Sequence, residues 1–173
     1  MIAAVTWARK NKVPYLGLCL GMQVMLVEFA RSLAGFTQAH STEIKKDTPE
    51  PIISLLEEQE GVAYKGASMR LGAFTCDLVP GTRAQAAYGT ESISERHRHR
   101  YEFNNKYRAD LEKAGVVFSG IDAEKNLVEI AELRDHPFMV ASQFHPEFLS
   151  TPLKPHPLFK AFIEAVVQST QKE

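Results

Sequence analysis

Between Val13 and Leu33 the hydrophobic pattern changes period, and the change falls on five residues, Gly17-Leu18-Cys19-Leu20-Gly21. Before them, Val13–Cys19 is a short apolar run with Pro14 near its start, where a strand tolerates proline. After them, Met22, Met25, Leu26, Phe29, Ala30 and Leu33 recur at helical spacing, and Gly35 can end the helix. The spacing therefore predicts a strand, a tight turn and a helix, with a cysteine on the turn. Gly17 and Gly21 lack a Cβ, so strand and helix can approach closely around a residue in strained backbone. Cys19 would then stand at a helix N-terminus, where amides and the helix dipole favour a thiolate and lower its pKa. That is a nucleophile's setting, although the short G-x-C-x-G pattern alone leaves an ordinary buried cysteine equally open. Cys76, in the plain run LGAFTCDLV, is expected to be structural.

A thiol that attacks an amide needs a base to take its proton and to return one to the leaving ammonia. Histidine does both near neutral pH when a carboxylate fixes its orientation and tautomer. His145 follows the apolar run FMVASQF, where a buried strand would emerge, and Glu147 lies two positions on across Pro146. Functional residues of open α/β sheets gather at the carboxyl ends of strands, so Cys19 and His145 could converge. Taken alone, His145 and Glu147 are better read as a residue ending a strand beside an exposed carboxylate; it is the cysteine turn that reinforces the catalytic reading. The other histidines assemble no metal site: His97 and His99 alternate with Arg96, Arg98 and Arg100, and His40, His136 and His156 are isolated. The 96–100 run reads as a solvated face, a nucleic-acid patch or the source of an arginine for an acidic substrate group. Glu91 and Glu95 argue against nucleic acid, and Tyr101 and Phe103 could anchor the segment.

The remaining pattern fits one α/β domain. Residues 2–11 are expected to be helical, 37–60 mainly loop with a short helix around 52–60, and 62–69 and 71–79 extended. Gly81–Ala87 carries no clear signal. A helix is expected over 106–114, strands over 116–119, 127–133 and 138–144, and a closing helix carrying Leu158, Phe159, Phe162, Ile163, Val166 and Val167. Helices at both ends with apolar strands between them favour an α/β sandwich, with a mostly parallel central sheet and antiparallel hairpins from the middle of the chain. Twenty Lys and Arg against 21 Asp and Glu give a formal charge of −1, so a generally basic nucleic-acid surface is not expected. The charged cluster Arg9–Lys12 interrupts any signal peptide, and no apolar run approaches the ~20 residues of a membrane span. Two cysteines without metal-ligand spacing make a disulfide scaffold unexpected and the cytoplasm the default compartment.

The blocks GLCLGMQ at 17–23, STE at 41–43, MRLG at 69–72, ERHRHRYEFNN at 95–105, QFHPEF at 143–148 and HPLF at 156–159 resemble the amidotransferase domain of the CTP synthase family across essentially the whole chain. GxCxGxQ and HPE are common to class I glutamine amidotransferases, whereas the RHRHRYEFNN block with MRLG upstream is particular to CTP synthase. The resemblance implies a flavodoxin-like sandwich with Cys19 as nucleophile forming a glutamyl thioester, and His145 and Glu147 completing the triad. It implies that Leu20 and Gln23 line the glutamine site, that Glu43 holds the substrate α-ammonium, and that Arg100 pairs with its α-carboxylate. No cofactor is expected in this domain. The family enzyme uses ATP and magnesium to aminate UTP on a separate amidoligase domain, responds to GTP as an activator, and resembles a tetramer. No Gly-rich phosphate loop is present. The resemblance makes residues 1–173 a partial amidotransferase domain without the amidoligase, lacking the family's opening strands and the glycine-rich loop expected to supply an oxyanion donor. Amidotransferases serving other synthetases, γ-glutamyl hydrolases and a catalytically silent module of the same fold are the alternatives. Glu43 and the 95–105 block favour CTP synthase, and retention of all three triad residues counts against the silent module.

Overall fold

The computed structural model describes residues 1–55 and 69–171. Helix α1 (Ile2–Lys10) turns Val5 and Ala8 inward, and strand β1 (Tyr15–Leu18) follows it. The helical pattern after the turn is α2 (Leu20–Ser32), buried along most of its length. Arg9 of α1 grips the buried Glu28 of α2 with both Nε and Nη2, and the Ser32 hydroxyl donates to the same carboxylate at 2.8 Å. A charge removed from water at this depth is tolerated only when paired in this way.

Strands β2 (Ala39–Ser41) and β3 (Glu50–Leu55) come next, then β4 (Arg70–Leu78), helix α3 (Arg83–Tyr88), β5 (Ser92–His99) and β6 (Tyr101–Phe103). A 3-10 turn leads into α4 (Arg108–Lys113), followed by β7 (Val116–Asp122), β8 (Leu127–Leu133), β9 (Met139–Ser142) and α5 (Pro157–Thr170). Among the described residues the main sheet has the order β1-β9-β8-β7-β4-β5, and β2-β3-β6 form a smaller one.

The expected α/β sandwich is present, but the main sheet is mixed rather than mostly parallel. Only β1 with β9 runs parallel in it, and its other four pairings are antiparallel. Loop lengths explain this. Residues 123–126 and 134–138 are too few for a crossover, which takes roughly a dozen residues, so β7, β8 and β9 fold back on one another. Met139 and Ala141 of β9 point into one core, with α2 and β3, while Val140 points into the second, with Phe138, Phe144 and Leu158. Period-two alternation thus feeds apolar layers on both sides of the sheet.

Two other expectations shift. The short helix around 52–60 is instead strand over Ile52–Leu55, with Ile52 and Ile53 fully buried and Ile53 opposite Phe103 of β6. Pairing with a distant strand overrides local preference here, as is common for strands. The rest of that stretch, and residues 62–68 of the expected extended segment, lie outside the described residues. The segment without a clear signal, Gly81–Ala87, holds most of α3. Thr82 caps it by accepting from Gln85 N, and Gly89 ends it at φ +69°. Thr-x-x-Gln and a following glycine are the start and stop signals of a helix.

At the turn itself the two glycines are not equivalent. A Cβ on Gly17 would lie 2.8 Å from the Gly21 carbonyl carbon and 2.9 Å from its oxygen, whereas one on Gly21 would meet only the Tyr15 hydroxyl at 3.6 Å. Tyr15 also donates to Gly21 O at 2.9 Å, clamping strand to helix. Gly17→Ala is therefore expected to destabilise the fold by about 1–3 kcal/mol, because backbone rather than a flexible side chain must move. Gly21→Ala is expected to be neutral or stabilising by up to about 1 kcal/mol, from helix propensity. Denaturant unfolding of the two variants separates these outcomes; equal losses would contradict the close approach.

Candidate active site

Cys19 is the residue between β1 and α2, and its backbone sits at φ +49°, ψ −102°. A non-glycine residue there is strained, and such strain persists only where the surroundings enforce it. Its N–H donates to Ser142 O at 2.7 Å, and its carbonyl accepts from Met22 N and Gln23 N at 3.0 and 3.2 Å. Sheet on one side and helix on the other fix the conformation.

The electrostatics of the thiol differ from the expectation. Its pKa is raised, first by burial and then by the charges of Glu147 and Glu102, while the Leu20 N–H and the Gln143 side chain work in the opposite direction. Removal from water outweighs the helix terminus. The resting thiol is thus protonated, and a base is required to make it a nucleophile. Cys76, the expected structural cysteine, is fully buried, and burial also pushes its thiol up.

β9 delivers the second group. It lies beside β1 in parallel register, Leu18 opposite Ser142, so Cys19 and His145 follow the same ends of adjacent strands. His145 N–H donates to Arg96 O at 2.9 Å, and the ring packs 5.3 Å from that of Phe148. His145 Nδ1–H donates to Glu147 Oε1 at 2.7 Å, which leaves Nε2 with its lone pair as the basic atom. Glu147 is 46% exposed, so solvent weakens this pair's electrostatics while its geometry still sets the tautomer.

Five of the seven sequence-derived site residues line a single cavity of about 280 Å³: Cys19, Leu20, Gln23, Glu43 and Arg100. His145 and Glu147 are not among its walls. The volume lies just below the ~300–1,000 Å³ of small-molecule sites and suits an amino-acid-sized ligand. Glu43 and Arg100 place one carboxylate and one guanidinium on the same walls, the pairing that a zwitterion requires. Met69, Arg98, His99 and Tyr101 also face it, and none of these was singled out from the sequence as a site residue.

Behind the cavity lies a buried polar array that sequence reading missed. Arg70 meets Asp122 at 2.8 Å, Glu129 at 2.5 Å and Glu102 at 3.5 Å, and His97 Nδ1 lies 2.9 Å from His99 Nε2. His97 and His99 are buried while Arg96 and Arg98 are exposed. The RHRHR run is thus a strand with histidines inward and arginines outward, and its period of two was the available signal. Burial, then the Arg70 charge, lowers His97 to about 2 and His99 to about 3. Burial likewise raises Glu102 to about 8 and Glu129 to about 7. Arg70 occupies the centre of this array, and among the described residues no group of three or more His, Cys, Asp and Glu side chains could hold a metal ion. No helix among them is long and apolar enough to cross a membrane.

Comparison with known proteins agrees with this architecture. CTP synthase of Dehalococcoides mccartyi (strain ATCC BAA-2100) is 61% identical over 165 residues, which are 95% of this chain and 30% of the relative. CTP synthase of Chloroflexus aggregans is 58% identical over 168 residues, 97% of this chain and 31% of the relative. The chain thus spans about 30% of the length of these relatives. The Trypanosoma brucei CTPS glutaminase domain with bound acivicin superposes with a TM-score of 0.90 at 36% identity, over 96% of this chain and 65% of that one. A glutamine amidotransferase from Thermotoga maritima shares the fold, with a TM-score of 0.55 at 15% identity, over 99% of this chain and 54% of that one. The model of the family "Glutamine amidotransferase class-I" matches residues 1–165, and the chain belongs to that family.

Proposed function

We propose that this chain is the glutamine-hydrolysing part of a CTP synthase. The observation that carries the reading is the cavity that joins a strained, half-buried Cys19 to Glu43 and Arg100. Similarity to CTP synthases over nearly the whole chain supports the choice within the family. In this reading Glu43 binds the α-ammonium of L-glutamine, Arg100 its α-carboxylate, and Leu20 and Gln23 flank the side chain.

His145 Nε2 takes the thiol proton as Cys19 Sγ bonds to the glutamine side-chain carbonyl carbon. The tetrahedral adduct expels ammonia, which leaves with a proton returned by His145. The resulting glutamyl thioester is hydrolysed by water, again activated by His145, to glutamate and free thiol. Glu147 holds the imidazole in the required tautomer throughout. The likeness to the Trypanosoma brucei CTPS glutaminase domain, whose structure holds acivicin, supports a glutaminase reading of this chain.

The further proposals rest on the resemblance to the CTP synthase family. Ammonia passes to an amidoligase domain that aminates UTP to CTP with ATP and magnesium, GTP activates the hydrolysis, and the complete enzyme is a cytoplasmic homotetramer. Residues 1–173 are then part of the amidotransferase domain of that enzyme.

The test is ammonia and glutamate release from L-glutamine, with the chain joined to an amidoligase and supplied with UTP, ATP, magnesium and GTP. Glutamate is expected from the parent in an amount equal to CTP plus free ammonia, and none from Cys19→Ala. Absence of hydrolysis by the parent, or equal rates in both, would sink the reading.

A further inference from the structure

We propose that Gln143 is a catalytic residue of this site: its side-chain amide stabilises the thiolate left when the Cys19 proton is removed, and Gln23 aims it. Gln143 is fully buried directly after β9, two residues before His145, and its backbone N–H is tied to Glu129 O at 2.8 Å. Its Nε2 donates to Cys19 Sγ at 3.6 Å. Its Oε1 accepts from Gln23 Nε2 at 3.2 Å, and the same Gln23 nitrogen donates to the backbone oxygen of Tyr101 at 3.0 Å.

The direction of this chain of bonds is dictated by chemistry. A carboxamide can be turned either way round, but the Tyr101 carbonyl can only accept, so Gln23 must present nitrogen to it. That nitrogen's second hydrogen then faces Gln143, which must answer with oxygen. The Gln143 nitrogen is left pointing at the sulfur as a donor. One backbone carbonyl therefore fixes both amides, and a wall of the substrate cavity is coupled to the nucleophile.

The consequence follows from the surroundings of the sulfur. Burial and the charges of Glu147 and Glu102 disfavour the thiolate, and the amide opposes them without being able to take a proton. A hydrogen bond to a charged acceptor is stronger than one to a neutral acceptor, so the bond favours the deprotonated sulfur. His145 removes the proton, and Gln143 stabilises what remains. Both come from the same strand end, so one register sets both distances.

The inference rests on Cys19 being the nucleophile of the proposed glutaminase, and its test uses a reagent that needs no glutamine recognition. The rate of Cys19 alkylation by iodoacetamide is followed by mass spectrometry as a function of pH, in the full chain. Gln143→Met keeps the buried volume and removes the donor. Its profile is expected to move up by about one pH unit, with alkylation roughly tenfold slower below the inflection and an unchanged limiting rate at high pH. A profile that superimposes on the parent overturns the proposal. So does a rate reduced equally at every pH, which would mean altered access only.

Alkylation of the buried Cys76 reports unfolding. If Gln143→Met shows it, Gln23→Met decides. Freed from Gln23, the Gln143 amide can turn away, and an upward displacement smaller than one pH unit is expected. An unshifted Gln23→Met profile overturns the proposal. Reaction of the parent with an electrophilic glutamine analogue is measured in parallel. A shifted iodoacetamide profile without any analogue adduct would contradict the glutaminase reading while supporting this one.

Discussion

Replacing His145 by alanine lowers the turnover of glutamine by on the order of 10⁴-fold, while KM changes little. The effect is this large because the imidazole acts twice on the chemical step and lines none of the cavity that holds the substrate. The thiol supplies a sharper signature. Its pKa is raised by burial and by Glu147 and Glu102, so without a base only the small fraction already ionised can attack. The residual rate of His145→Ala should therefore climb with pH through and above the ordinary thiol range, where the parent gains little. Glu147→Gln should lose far less, because the pair is half open to water and solvent can satisfy Nδ1 in its place. Steady-state kinetics from pH 6 to 10 read all three profiles. A His145→Ala variant that loses only KM would place the histidine in binding rather than in proton transfer.

Arg70→Met destabilises the fold by about 3–5 kcal/mol, since it leaves Glu102, Asp122 and Glu129 buried without their shared cation. The loss should depend on pH. Glu102 and Glu129 have folded-state values raised to about 8 and about 7, above the carboxyl's ordinary 4.5. The folded state thus binds more protons than the unfolded one between those limits, and stability falls as pH rises from about 4.5 to 8. His97 and His99 are depressed to about 2 and about 3. Their contribution is complete above the unfolded value near 6.5 and is lost as pH falls toward 3. The two trends oppose each other between pH 4.5 and 6.5, so the parent should be most stable on that plateau and weaken on either side. Losing the Arg70 charge raises the carboxyls further, and the variant's deficit should be larger at pH 8.5 than at 5.5. Denaturant unfolding at those two values checks both sign and size; a loss under 1 kcal/mol would mean the array is not held by Arg70.

Much of this was legible in the chain. The change of period at residues 17–21 located β1, the turn and α2 because both flanking patterns are strong and local. The position of His145 after a buried run likewise put it at a strand end. Less visible were features whose cause lies far away in sequence. Ile52–Leu55 reads as the start of a short helix until β6 offers it a partner, and the sheet's mixed sense follows from loop lengths between strands. The two glycines of the turn look alike, yet only Gly17 faces backbone across it. The RHRHR run hides its roles for a related reason: alternation assigns the histidines inward, but only the fold reveals that Arg70, Glu102 and Glu129 await them. The thiol's raised pKa was missed because a helix terminus is visible in sequence and burial beside two distant carboxylates is not. Gln143 stands within the QFHPEF motif, but its role appears only once α2 brings Gln23 against it.

The most direct measurement is the intact mass of the chain after exposure to an electrophilic glutamine analogue, with Cys19→Ala treated alongside. One adduct, mapped to Cys19 and missing from the variant, is the predicted result, because cavity and nucleophile must act together to produce it. An adduct on Cys76, equal labelling of the variant, or no adduct on a parent shown to be folded would contradict the assignment of this cavity to glutamine.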